Sequence, residues 1–337
     1  MPTKITYAST GDPLDVLYLE NYDMPEPDKN EALIQMIAAA VNPVDINIIQ
    51  GKYPLNVESP GYEGMGTVIK VGPEVKNLKV GDHVIPVVYA GTWRTHLTLP
   101  EESLFRIPKS LNVPEGATLH INPITMYTML KEFVKLGPGD TVIQNGANSA
   151  CGVVAIQMCK AWGIKNVNIV RDRPLIDDLK SFLKSLGATY VFTEEEIRKT
   201  DIYKSGELNN PILGLNCIGG SSATSIMRHL REEGVLVTYG GMSLEPVTAS
   251  TTALVFKNIR LDGFNTSRWY NKEENFAKLP KIMNEIVDMV LEGKLKAPPH
   301  VLVDFLSYKE ALRNTLTPGG MIGKKFILDF RNLSSKM

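Results

Sequence analysis

The chain has 337 residues, of which 43% are hydrophobic and 22% charged, and a formal net charge of −1. That length accommodates two domains with sizeable cores. Near-neutrality excludes a bulk field that would draw nucleic acid or an anionic membrane, so neither is expected as a partner. No apolar run reaches the ~18 residues needed to cross a bilayer. Three cysteines, Cys151, Cys159 and Cys217, are too few for a disulfide framework and fit a reducing compartment as small buried hydrophobes. The opening M-P-T-K-I-T-Y has neither a secretory apolar region nor an Arg/Ser-rich amphipathic leader. That pattern is expected of a cytosolic chain or of one whose leader has been removed.

In chain order, residues 1 to about 118 read as short strands punctuated by Gly and Pro. The expected strands are Lys4–Ala8, Val16–Asn21, Glu31–Val41, Gly64–Val71, His83–Val88, Thr95–Leu99 and Leu104–Ile107. A short helix, Val44–Gln50, follows Asn42-Pro43. Frequent turn signals between β-rich runs predict a barrel-like β domain. From Asn122 the texture changes to alternating helices and strands. Helices are expected at Pro123–Phe133, Leu175–Leu186 and Glu194–Lys199, and strands at Tyr190–Thr193, Gly214–Ile218, Val235–Tyr239 and Ile259–Phe264. That alternation predicts a doubly wound parallel sheet. A long amphipathic helix, Glu273–Glu292, then leads through A-P-P-H to a strand at Leu302–Phe305, a helix at Tyr308–Asn314 and G-G-M-I-G-K-K-F-I-L-D-F.

The stretch from Thr141 to Arg173 is the most informative. T-V-I-Q-N, the turn N-G-A-N-S-A-C-G, the helix V-V-A-I-Q-M-C-K-A-W and N-V-N-I-V form one βαβ unit of mononucleotide-binding size. The turn would aim backbone N–H groups at a phosphate from a helix N-terminus. It is a defective G-x-G-x-x-G, with Ala150 where a glycine is usual and only Gly152 clearly in its motif position. The second strand ends in Arg171-Asp172-Arg173. An NAD-preferring site places an acid there for the ribose hydroxyls, whereas a guanidinium favours a 2′-phosphate, so the unit points to NADPH.

The whole order resembles the medium-chain dehydrogenase/reductase superfamily, and within it the mitochondrial trans-2-enoyl thioester reductases. The residues that carry the resemblance are Val41–Pro54, Gly91–Thr95, Val142–Ser149, Val170–Pro174, Leu215–Gly220 and Val237–Met242. It implies an α/β protein. A GroES-like β-barrel catalytic domain would take residues 1–119 and 265–337, and a Rossmann NADPH-binding domain residues 120–264. Zinc-dependent members of the superfamily need a Cys/His/Cys set in the β domain. Here that domain holds no cysteine, and Tyr62 in Gly61-Tyr62-Glu63-Gly64 stands at the metal-histidine position. His83 and His96 read as isolated strand residues, so no metal site is expected.

The resemblance implies hydride addition to the β carbon of an enoyl thioester, with protonation of the α carbon by Tyr53 in Q-G-K-Y-P. Asn122 reads either as a contact near the nicotinamide or as an N-cap before Pro123. Asn148, Ser149, Ala150 and Cys151 would line the phosphate turn, and Arg171, Asp172 and Arg173 would surround the 2′-phosphate. Tyr239, Gly240, Gly241 and Met242, with Phe264, Asn265 and Thr266, would border the nicotinamide. Lys325 would be a late cofactor contact, with Lys324 as the neighbouring candidate. Trp93 and Trp269 either line an acyl pocket or pack in the core. Ala150 and Cys151 replace the family's usual glycine-valine, Asn265 replaces a tryptophan, and Tyr62 replaces an asparagine. The resemblance further implies acyl carrier protein or coenzyme A as carrier, a homodimer paired through the Ile259–Phe264 strand, and a mitochondrial setting. Two alternatives remain beside it. One is a zinc-free quinone or alkenal reductase of the same fold; the other is a diverged NADPH-binding paralogue with little turnover.

Overall fold

A computed structural model describes residues 1–316 and 324–333. It divides into two compact units. One holds residues 1–121 together with the chain from Pro280 onward, and the other is Asn122–Leu279.

The second unit is built on six parallel strands in the spatial order Tyr190–Thr193, Lys165–Val170, Thr141–Gln144, Leu213–Asn216, Val235–Thr238 and Arg260–Gly263. Numbered along the chain this is 3-2-1-4-5-6, the doubly wound arrangement whose ligand crevice opens where the order reverses. The inner strands are mostly apolar, as burial between two helical layers requires, and the buried Gln144, Asn166 and Asn168 among them hydrogen-bond in a chain. Val170 and Val191 pack with Val153, Ile156 and Leu183, from the helices Ala150–Ala161 and Ile176–Leu186. Val167 and Ile169 pack on the opposite face with Ile197, Ala223 and Ile226. Alternation of side chains along one strand thus feeds two separate cores.

This unit runs past Phe264, the boundary expected from the sequence, to Leu279. The extra segment is tied to the helix Ile121–Glu132 from within the unit. Thr266 Oγ1 lies 2.7 Å from Thr125 Oγ1, Tyr270 Oη 3.4 Å from Thr128 Oγ1, and the Phe264 ring meets Phe133 edge-on at 5.8 Å. The expected single helix Glu273–Glu292 is two helices, Glu273–Phe276 and Leu279–Leu291. Pro280 lacks the N–H that an uninterrupted helix would need, and it suits only the first turn of a new one.

In the first unit the spine is the ten-residue strand Glu31–Ala40. It pairs antiparallel with Gly64–Val71, His96–Pro100 and Lys325–Asp329. Two register shifts against Gly64–Val71 bend it, which lets one strand serve three partners. His300–Asp304 extends the sheet beyond Lys325–Asp329, and His83–Pro86 and Leu104–Ile107 complete the other end. Ile5, Ile34, Trp93, Phe305, Leu312 and Leu328 share one core, so the late return of the chain completes the β unit. The expected strand Val16–Asn21 begins instead as a short helix, Pro13–Val16, before Tyr18–Asn21. Asp12 accepts the Leu14 N–H at 2.9 Å and Pro13 supplies the first helical φ. Residues 319–323 of the expected G-G-M-I-G run lie outside the described residues.

Candidate active site

In the second unit the crevice is framed by the ends of Thr141–Gln144 and Leu213–Asn216. After the first strand the chain turns at Gly146, whose φ is +58°, and enters the helix Ala150–Ala161. Ser149 caps that helix by accepting the Gly152 N–H at 3.1 Å. A Cβ at Gly152 would collide with the Ala147 carbonyl, so this motif glycine is required for close helix–strand packing. Ala150 is the first helical residue and has no positive φ. The missing glycine therefore costs nothing sterically. Asn148, Ser149, Ala150 and Cys151 are all half-buried at the helix N-terminus, where N–H groups and the helix dipole favour an anion.

Arg171 and Asp172 are exposed and Arg173 half-buried, just beyond the second strand. Arg173 donates through Nε to the Arg171 carbonyl at 3.2 Å, and its backbone N–H donates to Asp172 Oδ1 at 2.9 Å. Burial, and then the neighbouring Arg171 charge, hold the Arg173 guanidinium below its usual range. Among the described residues neither guanidinium forms an ion pair. Two adjacent cations without a carboxylate partner suit a dianionic group.

Cys217 packs its sulfur against Gly146; a Cβ there would come within 2.6 Å of it. Burial pushes the Cys217 thiol up to about 11 and that of Cys159 to about 12. Tyr239 is half-buried, and desolvation of its hydroxyl, then the neighbouring Cys217, hold the phenol far above its usual range. Gly240 is half-buried; Gly241 and Met242 are exposed, and Met242 donates its N–H to the Cys217 carbonyl at 3.0 Å.

Other expected site residues have structural tasks. Phe264 is buried against Phe133. Asn265 caps the helix Thr266–Tyr270, accepting the Arg268 N–H at 2.9 Å. Thr266 meets Thr125. Asn122 is not an N-cap, because the helix already begins at Ile121; its Nδ2 donates to Cys151 Sγ at 3.2 Å. Trp269 stands edge-on to Tyr270 at 4.7 Å, with Lys278 Nζ 5.2 Å from its ring.

In the first unit Tyr53 is half-buried in the turn after the helix Pro43–Ile49. Trp93 is fully buried and donates to the Ala40 carbonyl at 3.2 Å, a core position. Tyr62 is 9% exposed and meets Tyr89 edge-on at 5.2 Å. Lys325 is also buried. Its Nζ lies 3.1 Å from Glu63 Oε1 and donates to Asn42 Oδ1 at 2.6 Å, while Lys324 is exposed. Glu63 further accepts Asn42 Nδ2 at 3.0 Å and the Ile121 N–H at 2.9 Å. Asp45 caps the same helix through the Asn42 N–H at 2.8 Å. Burial, opposed by that N–H, pushes the Asp45 carboxyl up to about 7. Sequence reasoning missed this cluster, and it also missed the Asn145–Asn216 pair at the crevice. Asn145 Nδ2 donates to Asn216 Oδ1 at 2.7 Å, and Asn145 Oδ1 accepts the Cys217 N–H at 2.9 Å. The available signal was asparagine at the end of two apolar strands. His83 and His96 stand apart, and among the described residues no three His, Cys, Asp or Glu side chains form a metal-binding group.

Residues 28–109 match the alcohol dehydrogenase GroES-like domain, and residues 150–285 the zinc-binding dehydrogenase family. The mitochondrial enoyl-acyl-carrier-protein reductase of Rattus norvegicus is 42% identical over 321 residues, covering 93% of this chain and 85% of the relative. The Homo sapiens protein of that name is 41% identical over 329 residues, covering 96% and 87%. This chain belongs to the enoyl reductase family of the medium-chain dehydrogenase/reductases. Solved members of that family superpose along nearly the whole chain. A complex of Etr1p with NADP and crotonyl-CoA has a TM-score of 0.86 at 34% identity, covering 98% of this chain and 99% of that one. A mutant enoyl thioester reductase from Candida tropicalis gives 0.87 at 32% identity, with the same coverage. A quinone reductase from Bacillus thuringiensis, at 22% identity, shares the fold.

The buried Lys325 is the internal counter-ion of Glu63. Lys325→Met, which strands that carboxylate, should destabilise the protein by about 3–5 kcal/mol. Chemical denaturation followed by circular dichroism measures it; a loss under about 1 kcal/mol would show the pair to be dispensable.

Proposed function

We propose that this enoyl reductase family member reduces the C=C bond of trans-2-enoyl thioesters to saturated acyl thioesters with NADPH, and that Tyr53 protonates the α carbon. The carrying observation is 41–42% identity to mitochondrial enoyl-acyl-carrier-protein reductases over at least 93% of the chain. The unpaired Arg171 and Arg173 and the close-packed turn at Gly152 fit NADPH. The chemistry supplied by the bound cofactor is delivery of a hydride to the β carbon. Negative charge then develops on the thioester oxygen and needs hydrogen-bond donors. Tyr53 gives its phenolic proton to the α carbon and regains one from solvent. Arg171 and Arg173 hold the 2′-phosphate, and the N-terminal N–H groups of Ala150–Ala161 hold the pyrophosphate. Asn122, Asp172, Tyr239–Met242 and Phe264–Thr266 shape the cofactor crevice around these anchors. Lys325 keeps the expected cofactor-side role only through Asn42 and Glu63, which already engage its ammonium.

The acyl group would arrive on acyl carrier protein or coenzyme A, in mitochondria, as the relatives' names suggest. A second copy of the chain would add to the sheet edge Arg260–Gly263. Leu254, Val255, Phe256 and Leu261 are all exposed at or near that edge, an apolar surface suited to self-association.

Tyr53→Phe should lower kcat by roughly 10²–10⁴-fold while NADPH still binds; undiminished enoyl reduction would remove Tyr53 from the mechanism. Replacing Arg171 and Arg173 by alanine should raise the NADPH KM roughly tenfold to a hundredfold and shift preference toward NADH. Unchanged cofactor selectivity in steady-state kinetics would refute their role. Leu261→Lys should shift the protein toward monomer in sedimentation velocity, whereas an unaltered dimer would place the interface elsewhere.

A further inference from the structure

The position of Tyr53 is set by the chain on either side of it. Before it, the helix Pro43–Ile49 ends against the turn at Thr10 and Gly11, where the Gly11 N–H donates to the Ile49 carbonyl at 3.0 Å. Gly51, with a φ of +70°, packs directly on Thr10, whose side chain a Cβ there would meet at 3.2 Å. The left-handed conformation and that contact fix the direction in which the chain leaves the helix. After Tyr53 the chain is caught again, at Glu58 and Ser59, by the strand Thr3–Thr6. The Thr6 hydroxyl donates to the Glu58 carbonyl at 2.6 Å, and the Ser59 hydroxyl to the Ile5 carbonyl at 2.8 Å. Tyr89 Oη donates to the Ser59 carbonyl at 2.8 Å. Ile5 is completely buried and donates its N–H to the Trp93 carbonyl at 2.9 Å, so this second anchor belongs to the core. Residues 52–57, which carry Tyr53, bridge the two fixed points.

Lys4 holds the side chain at the second anchor. It is 8% exposed, and its Nζ donates to Glu58 Oε1 and lies 3.4 Å from Glu20 Oε2. Glu20 stands opposite Lys4 in the pairing of Thr3–Thr6 with Tyr18–Asn21. Arg94 Nη2 lies 3.8 Å from Glu58 Oε2, and Arg94 Nε donates to the Gly91 carbonyl at 2.9 Å. Two cations thus face two carboxylates. The Lys4 hydrogen bond, opposed by partial burial, holds the Glu58 carboxyl below its usual range. An exposed loop glutamate ordinarily samples many rotamers, and a surface ion pair would do little to restrain it. The Glu58 side chain is mostly exposed, but its partner ammonium is sheltered and needs a carboxylate.

We propose that Lys4 is a positioning residue for proton transfer from Tyr53: through Glu58 it clamps the far end of the Tyr53 segment and presents the phenol in one place. This rests on the reading that Tyr53 protonates the α carbon. A proton donor must lie within hydrogen-bond reach of the atom it serves, and displacing a catalytic group by about 1 Å costs on the order of a hundredfold in rate. The cofactor anchors Arg171, Arg173 and Ala150–Ala161 belong to the other unit and do not depend on this clamp.

The test measures crotonyl-CoA reduction by variants whose folding is checked by circular dichroism. Glu58→Gln removes charge from a mostly exposed side chain, so the fold should be kept. Its kcat should fall roughly tenfold, with the NADPH KM unchanged. Lys4→Met should lower kcat to a similar degree, and Lys4→Arg, which keeps a cation, should retain most of the activity. In the Tyr53→Phe background Glu58→Gln should bring no further loss, because groups that act through one another are not additive. A merely structural role would persist in that background. Undiminished kcat in both Glu58→Gln and Lys4→Met, or a Glu58→Gln loss that persists in full without the phenol, would overturn the clamp. Tyr53→Phe measured alone separates the two readings. Full activity in that variant overturns the Tyr53 reading and the clamp with it; a slow Tyr53→Phe beside unaltered Glu58→Gln and Lys4→Met overturns the clamp alone.

Discussion

The hydrogen bond between Asn145 and Asn216 holds the cofactor crevice in shape. These amides stand at the ends of the first and fourth strands, where the parallel sheet reverses its order and its loops part. Both side chains are fully buried, where an unsatisfied amide would be strongly unfavourable. Asn145 also accepts the Cys217 N–H, and Asn216 Oδ1 accepts the Gly219 N–H at 3.1 Å. Asn216 Nδ2 continues the chain to Thr238 Oγ1 at 3.1 Å. Side chains thus link three strand ends that carry the Gly146, Gly219 and Gly240 turns. The turn before the helix Ala150–Ala161 can lack a glycine at Ala150 because that residue is already helical, with no positive φ, while Ser149 caps the helix and Gly152 allows its close approach.

The first unit is organised around a buried charge instead. Glu63 receives Lys325, Asn42 and the Ile121 N–H, and so joins a helix start, the last described strand and the end of the unit's first stretch. Tyr62 occupies the neighbouring position, where zinc-dependent relatives of the superfamily would have a histidine, and its ring packs against Tyr89. The cluster therefore consists of one internal ion pair and a carboxyl, Asp45, that burial brings to the edge of neutrality.

Local signals made much of this legible in the sequence. Val/Ile-rich runs ending in Gly or Asn marked the parallel strands, and Arg171-Asp172-Arg173 marked the cofactor. Proline and Asx residues explain the misplaced elements: Asp12-Pro13 starts a helix that runs into the first residue of an expected strand, and Pro280 divides an expected helix. What the sequence could not reveal were pairings between distant residues. Lys325 meets Asn42 across 283 positions, and Asn145 meets Asn216 across 71. Lys325 reads as a late cofactor contact from its sequence alone, and its partners Asn42 and Glu63 lie far from it along the chain. Likewise the helix cap made by Asn265 and the pairing of Thr266 with Thr125 could not be read from their positions in the sequence.

Every role assigned to the two units depends on the reduction of an activated C=C bond with NADPH. Its most direct measurement follows NADPH oxidation by the purified protein with crotonyl-CoA, with identification of the product by mass spectrometry and a quinone as the parallel acceptor. Stoichiometric conversion to butyryl-CoA is expected, with little quinone-dependent oxidation. Tight NADPH binding with no thioester turnover, or turnover with the quinone alone, would contradict it.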